Sequence, residues 1–301
     1  PETVFQQDHS GPSGSGAKGR HREGRLAAFR PSRWRRPKEI AIGYGLQLSA
    51  TISILVSFGI LFVLIKESLP FFDLVDPWHF FTGANWSPLL DPRSFGVLPL
   101  IGGTLLVTGV ATVIVIPIGS LTGIFLSEYA SKRARKIFKP VLEVLAGVPT
   151  VVYGYFAITV AIMIIPTVAS LSDDAMRSVP GALREAAYGL GATQREVSLG
   201  VVFPGALSGI LAAYVLAIGR ALGETMIVAM AAGATPQLTL NPMESVQTMT
   251  GYIVQVSFGD TPVGTPEYLS IFAVGLTLFV LTLGINMISF WIRHRYRQAY
   301  S

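Results

Sequence analysis

Residues 185–204 read EAAYGLGATQREVSLGVVFP, a largely polar stretch in a chain that is otherwise dominated by long apolar runs. The stretch starts with an acidic residue and two alanines, which favour a helix, and has a glycine six residues after its first residue. It ends in three apolar residues, 201–203, followed by Pro204. A membrane protein that places such a segment between spans presents it to a partner on one side of the bilayer. The stretch therefore predicts a transport subunit that another protein drives.

The composition of the chain is that of a membrane protein. Hydrophobic residues make up 50% of the 301 residues and charged residues 14%, whereas a soluble domain carries about 25% charged residues. Several apolar runs reach the roughly 20 residues that a helix needs to cross the hydrocarbon core. We therefore expect an all-α integral membrane protein.

Six membrane crossings are expected from the apolar runs. They fall at 40–65, 96–128, twice within 137–171, at 206–233 and at 269–292. The connections 66–95 and 234–268 are longer and more polar. Four aromatic residues of the first connection suit a membrane interface: Trp78, Phe80, Phe81 and Trp86.

Lys and Arg residues predict the orientation of these crossings. They concentrate in the N-terminal tail, in the loop 131–139 and at 293–297, which we expect on the cytoplasmic side. The connection 234–268 contains neither Lys nor Arg and is expected to face outward. Both termini are therefore predicted to be cytoplasmic, in a multi-pass membrane protein.

This orientation requires the apolar stretch 137–171 to cross the bilayer and return. Two crossings need about 40 residues and a turn, and only 35 residues are present. Three explanations remain: two short buried helices, a re-entrant hairpin, or an outer loop that is missing from the sequence. We favour the last and expect a discontinuity near 158–161.

The N-terminal segment 1–38 is predicted to be a separate basic tail. It holds nine Lys and Arg residues against three acidic residues and is rich in Gly, Ser and Pro. We expect it to be disordered in isolation and to bind anionic lipid headgroups, with nucleic acid binding as the weaker alternative. No small-residue cleavage site follows the first apolar run, so we do not expect a cleavable signal peptide. The remainder, 39–298, is the predicted transmembrane domain.

The stretch 185–204 resembles the cytoplasmic coupling loop of bacterial ABC importer permeases. That pattern is Glu-Ala-Ala, three residues, Gly, nine residues and Ile-x-Leu-Pro. The positions that match it are Glu185, Ala186, Ala187, Gly191 and Pro204, while Val201 and Phe203 are mild departures. The resemblance implies a coupling helix between spans 4 and 5, within a loop at 172–205, that docks into an ATPase subunit. An interfacial amphipathic helix is the alternative.

A second resemblance concerns the substrate. Over roughly 40–298 the chain is similar to permeases of the phosphate-specific transport system, particularly the C-type subunit. The similar stretches include GGTLLVT (102–108), GVPTVVYGYFA (147–157), GRALGETM (219–226) and YLSIFAVGLTLF (268–279). The chain departs from that family at 157–162, where the family usually has an outer loop and a further helix.

This second resemblance implies a type I importer permease for inorganic phosphate, embedded in membrane lipid. The expected partners are a second permease of the A-type, two ATP-binding cassette ATPases and an extracytoplasmic phosphate-binding protein. Two alternatives are an A-type phosphate permease and a permease for another small oxyanion. An ion-coupled secondary transporter is an alternative of a different class.

Arg220 and Glu224 are the candidate residues of the substrate path. Their spacing of four predicts that they share one face of a helix inside an apolar span. Ionisable residues at membrane depth usually serve a pathway, and a guanidinium is a planar, permanently charged donor for phosphate oxygens. The resemblance implies that Arg220 meets the phosphate and that Glu224 neutralises the arginine between passages. A static Arg–Glu pair that joins two spans is the alternative.

Catalytic and metal sites are not expected in this chain. The sequence has no Gly-x-x-x-x-Gly-Lys-[Ser/Thr] phosphate-binding motif, so we expect a separate chain to hydrolyse ATP. Its four His residues are scattered, and no cofactor is predicted. Asp173 and Asp174 are interpreted as acids at the start of a helix, and Glu128 and Glu143 as ion partners at the interface.

Overall fold

The computed structural model describes residues 35–147 and 159–295. These residues are almost entirely helical, which confirms the predicted all-α class. The chain divides into two units after Ile60. Within the first unit, the side chains of residues 40–60 are exposed throughout.

The first group of elements precedes the gap at 148–158. It consists of helix α1 (Arg35–Leu74), helix α2 (Pro77–Thr82), strands β1 (Trp86–Ser87) and β2 (Ser94–Phe95), helix α3 (Leu98–Ile124), a π-helical turn (Phe125–Tyr129) and helix α4 (Lys132–Gly147). The two short strands form an antiparallel hairpin in which Trp86 pairs with Phe95.

The second group follows the gap. It consists of helices α5 (Thr159–Arg177), α6 (Gly181–Gly189) and α7 (Gln194–Val197), a second π-helical turn (Ser198–Val202), and helices α8 (Phe203–Leu222), α9 (Met226–Ala231), α10 (Met249–Ser257) and α11 (Pro266–Arg295).

Four of the described helical segments are long and apolar enough to cross a membrane. They are Ile40–Leu74, Leu98–Tyr129, Gln194–Leu222 and Pro266–Trp291. The two crossings predicted within 137–171 correspond to parts of α4 and α5, and residues 148–158 between them lie outside the described residues. The number of six crossings therefore stays a prediction.

The predicted discontinuity at 158–161 falls at the edge of this gap. Ile158 lies outside the described residues, whereas residues 159–161 form the first turn of α5. The described part of that region is thus a regular helix.

The connection 66–95 contains regular secondary structure. Helix α1 continues to Leu74. Trp78 and Phe81 are exposed, whereas Phe80 and Trp86 are buried among protein side chains. Their rings make edge-to-face contacts with other aromatic rings: the centroids of Phe71 and Phe80 are 5.4 Å apart, and those of Trp86 and Tyr252 are 4.8 Å apart. Such contacts add to the free energy gained by burial, which is why these aromatics lie in the core.

Helix α5 packs against both α3 and α8. Its approach to α3 depends on two glycines, because a Cβ at Gly119 would lie 2.7 Å from Val168 Cγ1 and one at Gly123 would lie 2.9 Å from Ser172 Cβ. Small residues at these two positions let the helices approach closely. The three helices therefore form a tightly packed support for the residues that follow α5.

Candidate functional site

The coupling loop is a pair of short helices joined by a glycine turn. Helix α6 ends in a Schellman motif: the N–H of Ala192 donates to the carbonyl of Ala187 (3.2 Å) and that of Gly191 to the carbonyl of Tyr188 (2.9 Å). Gly191 has a φ of +84°, a left-handed conformation that favours glycine. Gly191 is therefore the residue at which the chain turns between α6 and α7.

A capping box starts the second helix immediately after the turn. The hydroxyl of Thr193 accepts a hydrogen bond from the N–H of Glu196, and the carboxylate of Glu196 accepts one from the N–H of Thr193 (2.8 Å). The chain direction from α6 to α7 is therefore set by local interactions on both sides of Gly191.

One face of α6 is uncovered. Glu185 and Ala186 are exposed, and Leu190 at the end of the helix is 90% exposed. Ala187 turns inward and packs with the cluster that contains Met176 and Val197. The matched alanines therefore have different surroundings: Ala186 belongs to the free surface and Ala187 supports the helix from below.

Pro204 lies at the start of α8 and is exposed. Because proline has no N–H, it cannot complete the α-helical ladder. Just before it, the N–H of Phe203 bonds to the carbonyl of Ser198, five residues back, which is the π-helical pattern. The helix nevertheless continues, so Gln194–Leu222 is one unbroken helical segment from the coupling loop to the turn that carries Arg220.

The predicted placement of Arg220 and Glu224 on one helix face is wrong. Helix α8 ends at Leu222, and Gly223 caps it with a non-helical backbone, in keeping with its low helix propensity. Glu224 therefore lies in the break before α9, and the crossing predicted at 206–233 is interrupted. No ion pair joins Arg220 to Glu224, which removes the alternative of a static pair.

The two residues have separate partners. The guanidinium of half-buried Arg220 donates to the main-chain carbonyl of Ala146 (3.1 Å) near the end of α4. Glu224 is buried, and its carboxylate accepts from the N–H of Ile227 (3.4 Å) in the first turn of α9. Its own carbonyl accepts from the hydroxyl of Thr250 (2.9 Å) in α10. Glu224 is thus positioned by the helix break.

A cluster of ion pairs beneath the coupling loop was missed by sequence reasoning. The carboxylate of Asp173 is fully buried and binds Arg135 (2.6 Å) and Arg177 (3.2 Å), with Lys139 at 3.7 Å. Burial raises the pKa of Asp173, while the hydrogen bond and charge of Arg135 act against this shift. Lys139 also binds Asp174.

The interpretation of Asp173 and Asp174 as helix-start acids is therefore wrong. Both residues lie in the second half of α5, which ends at Arg177. The available signal was the spacing of four between Arg135 and Lys139 and between Asp173 and Arg177. That spacing places each pair on one helix face but does not show that the two faces meet.

Comparison with known proteins places this geometry in a family. Residues 115–298, which include the coupling loop and Arg220, match the protein family described as the binding-protein-dependent transport system inner membrane component. The chain belongs to this family of ABC transporter permeases. The permease is a non-catalytic, multi-pass membrane component, and a separate ATPase hydrolyses ATP. Membership of this family excludes the alternative of an ion-coupled secondary transporter.

Two curated relatives cover most of the permease. A probable ABC transporter permease protein, YqgH of Bacillus subtilis, is 35% identical over 232 residues, with 69% of this chain and 75% of the relative covered. The phosphate transport system permease protein PstC of Mesorhizobium japonicum is 30% identical over 255 residues, with 70% and 77% covered. The matched 70% of the permease contains fewer residues than the 255 aligned positions. The relative therefore has residues within the matched region that the permease lacks.

Solved structures support the fold. A chain of a bacterial ABC transporter involved in import of the polysaccharide alginate has a TM-score of 0.59 at 16% identity, covering 88% of the permease and 99% of that chain. A chain of the MetNI methionine ABC transporter has a TM-score of 0.55 at 17% identity, covering 70% and 100%. The permease therefore has the type I importer fold. Permeases of the matched family work with a second permease, ATPases and a binding protein.

Proposed function

We propose that the permease carries inorganic phosphate, as the C-type subunit of a phosphate-specific importer. The observation that carries this proposal is the position of Arg220, a half-buried guanidinium that makes no ion pair with the described residues and lies one turn before a helix break. A guanidinium has five N–H donors, and one bond to Ala146 leaves most of them for the oxygens of an anion.

The coupling loop and Arg220 belong to the same mechanical unit in this proposal. From Gln194 to Arg220 the helical segment is unbroken, and at 1.5 Å per residue it spans about 40 Å. An ATPase that presses on the free face formed by Glu185 and Ala186 would move this rod, with Pro204 near its base. Arg220 would then alternate between outward and inward access.

Glu224 has a complementary role in this scheme. Its carboxylate is buried in the helix break and does not contact Arg220 in the described conformation. A shift of the break by one turn would bring the two charges together and weaken the hold of Arg220 on an anion. Glu224 is therefore proposed to favour release.

The proposed assembly is a heterodimer with an A-type permease, two ATPases and an extracytoplasmic phosphate-binding protein. One chain with a single arginine in this position lines only part of a path, so a second permease would complete it. The relative from Mesorhizobium japonicum supports phosphate as the substrate because it is named a phosphate transport system permease. Both termini are proposed to be cytoplasmic, on the side of the coupling loop.

Uptake of labelled phosphate by the reconstituted complex tests the proposal. We expect ATP-dependent uptake that unlabelled phosphate competes and that sulfate and molybdate compete poorly. Arg220→Gln is expected to lower uptake by about 10- to 100-fold while the complex still assembles. Arg220→Lys is expected to retain only part of the wild-type uptake, because an ammonium lacks the planar fork. Stronger competition by sulfate or molybdate than by phosphate would show that the substrate is another oxyanion.

A further inference from the structure

The inner face of the coupling loop is attached to the end of α3 through Glu128. Arg184, the residue before Glu185, points away from the free face of α6 and is half-buried. Its Nη2 lies 3.2 Å from Glu128 Oε1 and donates to the carbonyl of Met176 (2.7 Å). The side chain of Glu128 is 6% exposed, so this ion pair is shielded from solvent on the carboxylate side.

The second helix of the coupling loop holds the same residue. The side-chain amide of Gln194, at the start of α7, donates to the main-chain carbonyl of Glu128 (2.6 Å). Helices α6 and α7 therefore both attach to Glu128, one through its carboxylate and one through its backbone. A displacement of either helix acts on this position.

Glu128 lies in the π-helical turn that ends α3. A π-helical turn holds an extra residue and is frequent at functional sites. In its middle part, α3 lines a cavity of about 370 Å³ with Val107, Ala111 and Ile114, across from residues at the start of α5 and in α9. The helix that Glu128 ends is thus also a wall of this cavity.

We propose that Glu128 is a positioning residue that transmits motion of the coupling loop to α3, in addition to the route through Pro204 and α8. When the ATPases move the loop, Arg184 and Gln194 pull Glu128 and shift the wall of the cavity together with Arg220. The inference rests on the proposed role of the coupling loop. Loss of this attachment leaves ATP hydrolysis intact and uncouples it from transport.

The test compares Glu128→Gln with wild type in the complete reconstituted complex. We expect the ATPases to remain bound and to hydrolyse ATP, while labelled phosphate transported per ATP falls on the order of tenfold, within the range of typical coupling energies. Glu267→Gln is the matched control, since Glu267 is also a buried carboxylate paired with one arginine, Arg93 at 2.8 Å. It is expected to leave the ratio unchanged.

Gln194→Ala tests the inference at an exposed position. Because it removes only one hydrogen bond at the surface, it decides the question if Glu128→Gln does not assemble. If the Glu128→Gln complex assembles, a wild-type ratio of transport to hydrolysis in that complex would overturn the inference. If it does not assemble, a wild-type ratio in Gln194→Ala would overturn it. Arg184→Lys keeps the positive charge but loses the planar guanidinium. It is expected to give a ratio of transport to hydrolysis between those of wild type and Glu128→Gln.

A second readout does not depend on the substrate. The sequence contains no cysteine, so spin labels can be placed at Val113→Cys on α3 and Phe258→Cys, both highly exposed. ATP is expected to change the distance between the labels in the wild-type background and not with Glu128→Gln. An ATP-driven change that Glu128→Gln removes, in a complex that takes up no phosphate, would refute phosphate as the substrate and support the inference. A change that persists with Glu128→Gln, or no change in the wild-type background, would refute transmission through Glu128 and α3.

Discussion

Replacing Gly191 by alanine tests whether the coupling loop is held by the backbone conformation of its turn. Gly191 has a φ of +84°, and an added Cβ would meet no atom within 4 Å, so crowding contributes nothing. A left-handed conformation costs an L-residue about 1–2 kcal/mol. Strain of this size raises the equilibrium constant for local opening of the turn by about 5- to 30-fold.

Gly189→Ala is the matched control, two residues earlier. Gly189 is the last residue of α6, and an added Cβ there also meets no atom within 4 Å. At a helical position, alanine is more favourable than glycine by about 0.5–1 kcal/mol. The two substitutions add the same methyl group, and their effects on the turn are expected to have opposite signs.

Hydrogen exchange of the backbone amides in the coupling loop measures this difference. The amides of Leu190 and Ala192 donate to carbonyls of α6 at 3.1 Å and 3.2 Å and close the turn. They are expected to exchange about 5- to 30-fold faster in Gly191→Ala and more slowly than wild type in Gly189→Ala. Equal exchange rates in the two variants would refute the reasoning.

Three further predictions concern the path, the packing and the ion cluster. Arg220→Gln should lower phosphate uptake by about 10- to 100-fold, the equivalent of one lost hydrogen bond to a charged group, with complex assembly as the control. Gly103→Ala should lower the free energy of unfolding by about 1–3 kcal/mol, because its Cβ would lie 2.4 Å from a carbonyl oxygen of the segment before α10. Gly109→Ala on the same helix, where the space is open, should not lower the thermal midpoint. Asp173→Asn should lower the free energy of unfolding by about 1–3 kcal/mol, because it removes the charge of a buried carboxylate that binds Arg135 and Arg177, whereas exposed Asp174→Asn should cost less than about 1 kcal/mol. Thermal unfolding of the purified permease distinguishes these pairs, and equal midpoints within either pair would contradict the burial argument.

The sequence predicted those features that depend on local conformation. The turn at Gly191 follows from the spacing of the coupling-loop pattern, because a left-handed residue after a short helix is a property of a few neighbouring residues. The close approach of α3 to α5 at Gly119 also has a local signal, since small residues at a helix surface mark such contacts.

Features that depend on tertiary contacts were not predicted. The end of α8 at Leu222 separates Arg220 from Glu224, and nothing in their spacing of four distinguishes a continuous helix from an interrupted one. The pair of Arg135 and Asp173 joins residues 38 positions apart, a distance over which periodicity carries no information. The burial of Trp86 likewise follows from its contact with Tyr252 in a distant helix.

The π-helical turn at Phe125–Tyr129 determines the angle, about the helix axis, between the residues of α3 before it and the residues that follow it. The N–H of Ala130 bonds to the carbonyl of Phe125, five residues back, so the turn contains one residue more than an α-helix would. Deleting that residue would keep the helix intact but rotate everything beyond it by about 100°. A change in chain length at this point therefore acts as a rotation. A single-residue deletion would shorten the helix very little, but it would turn the cavity wall on α3 relative to the coupling loop on which the ATPases act.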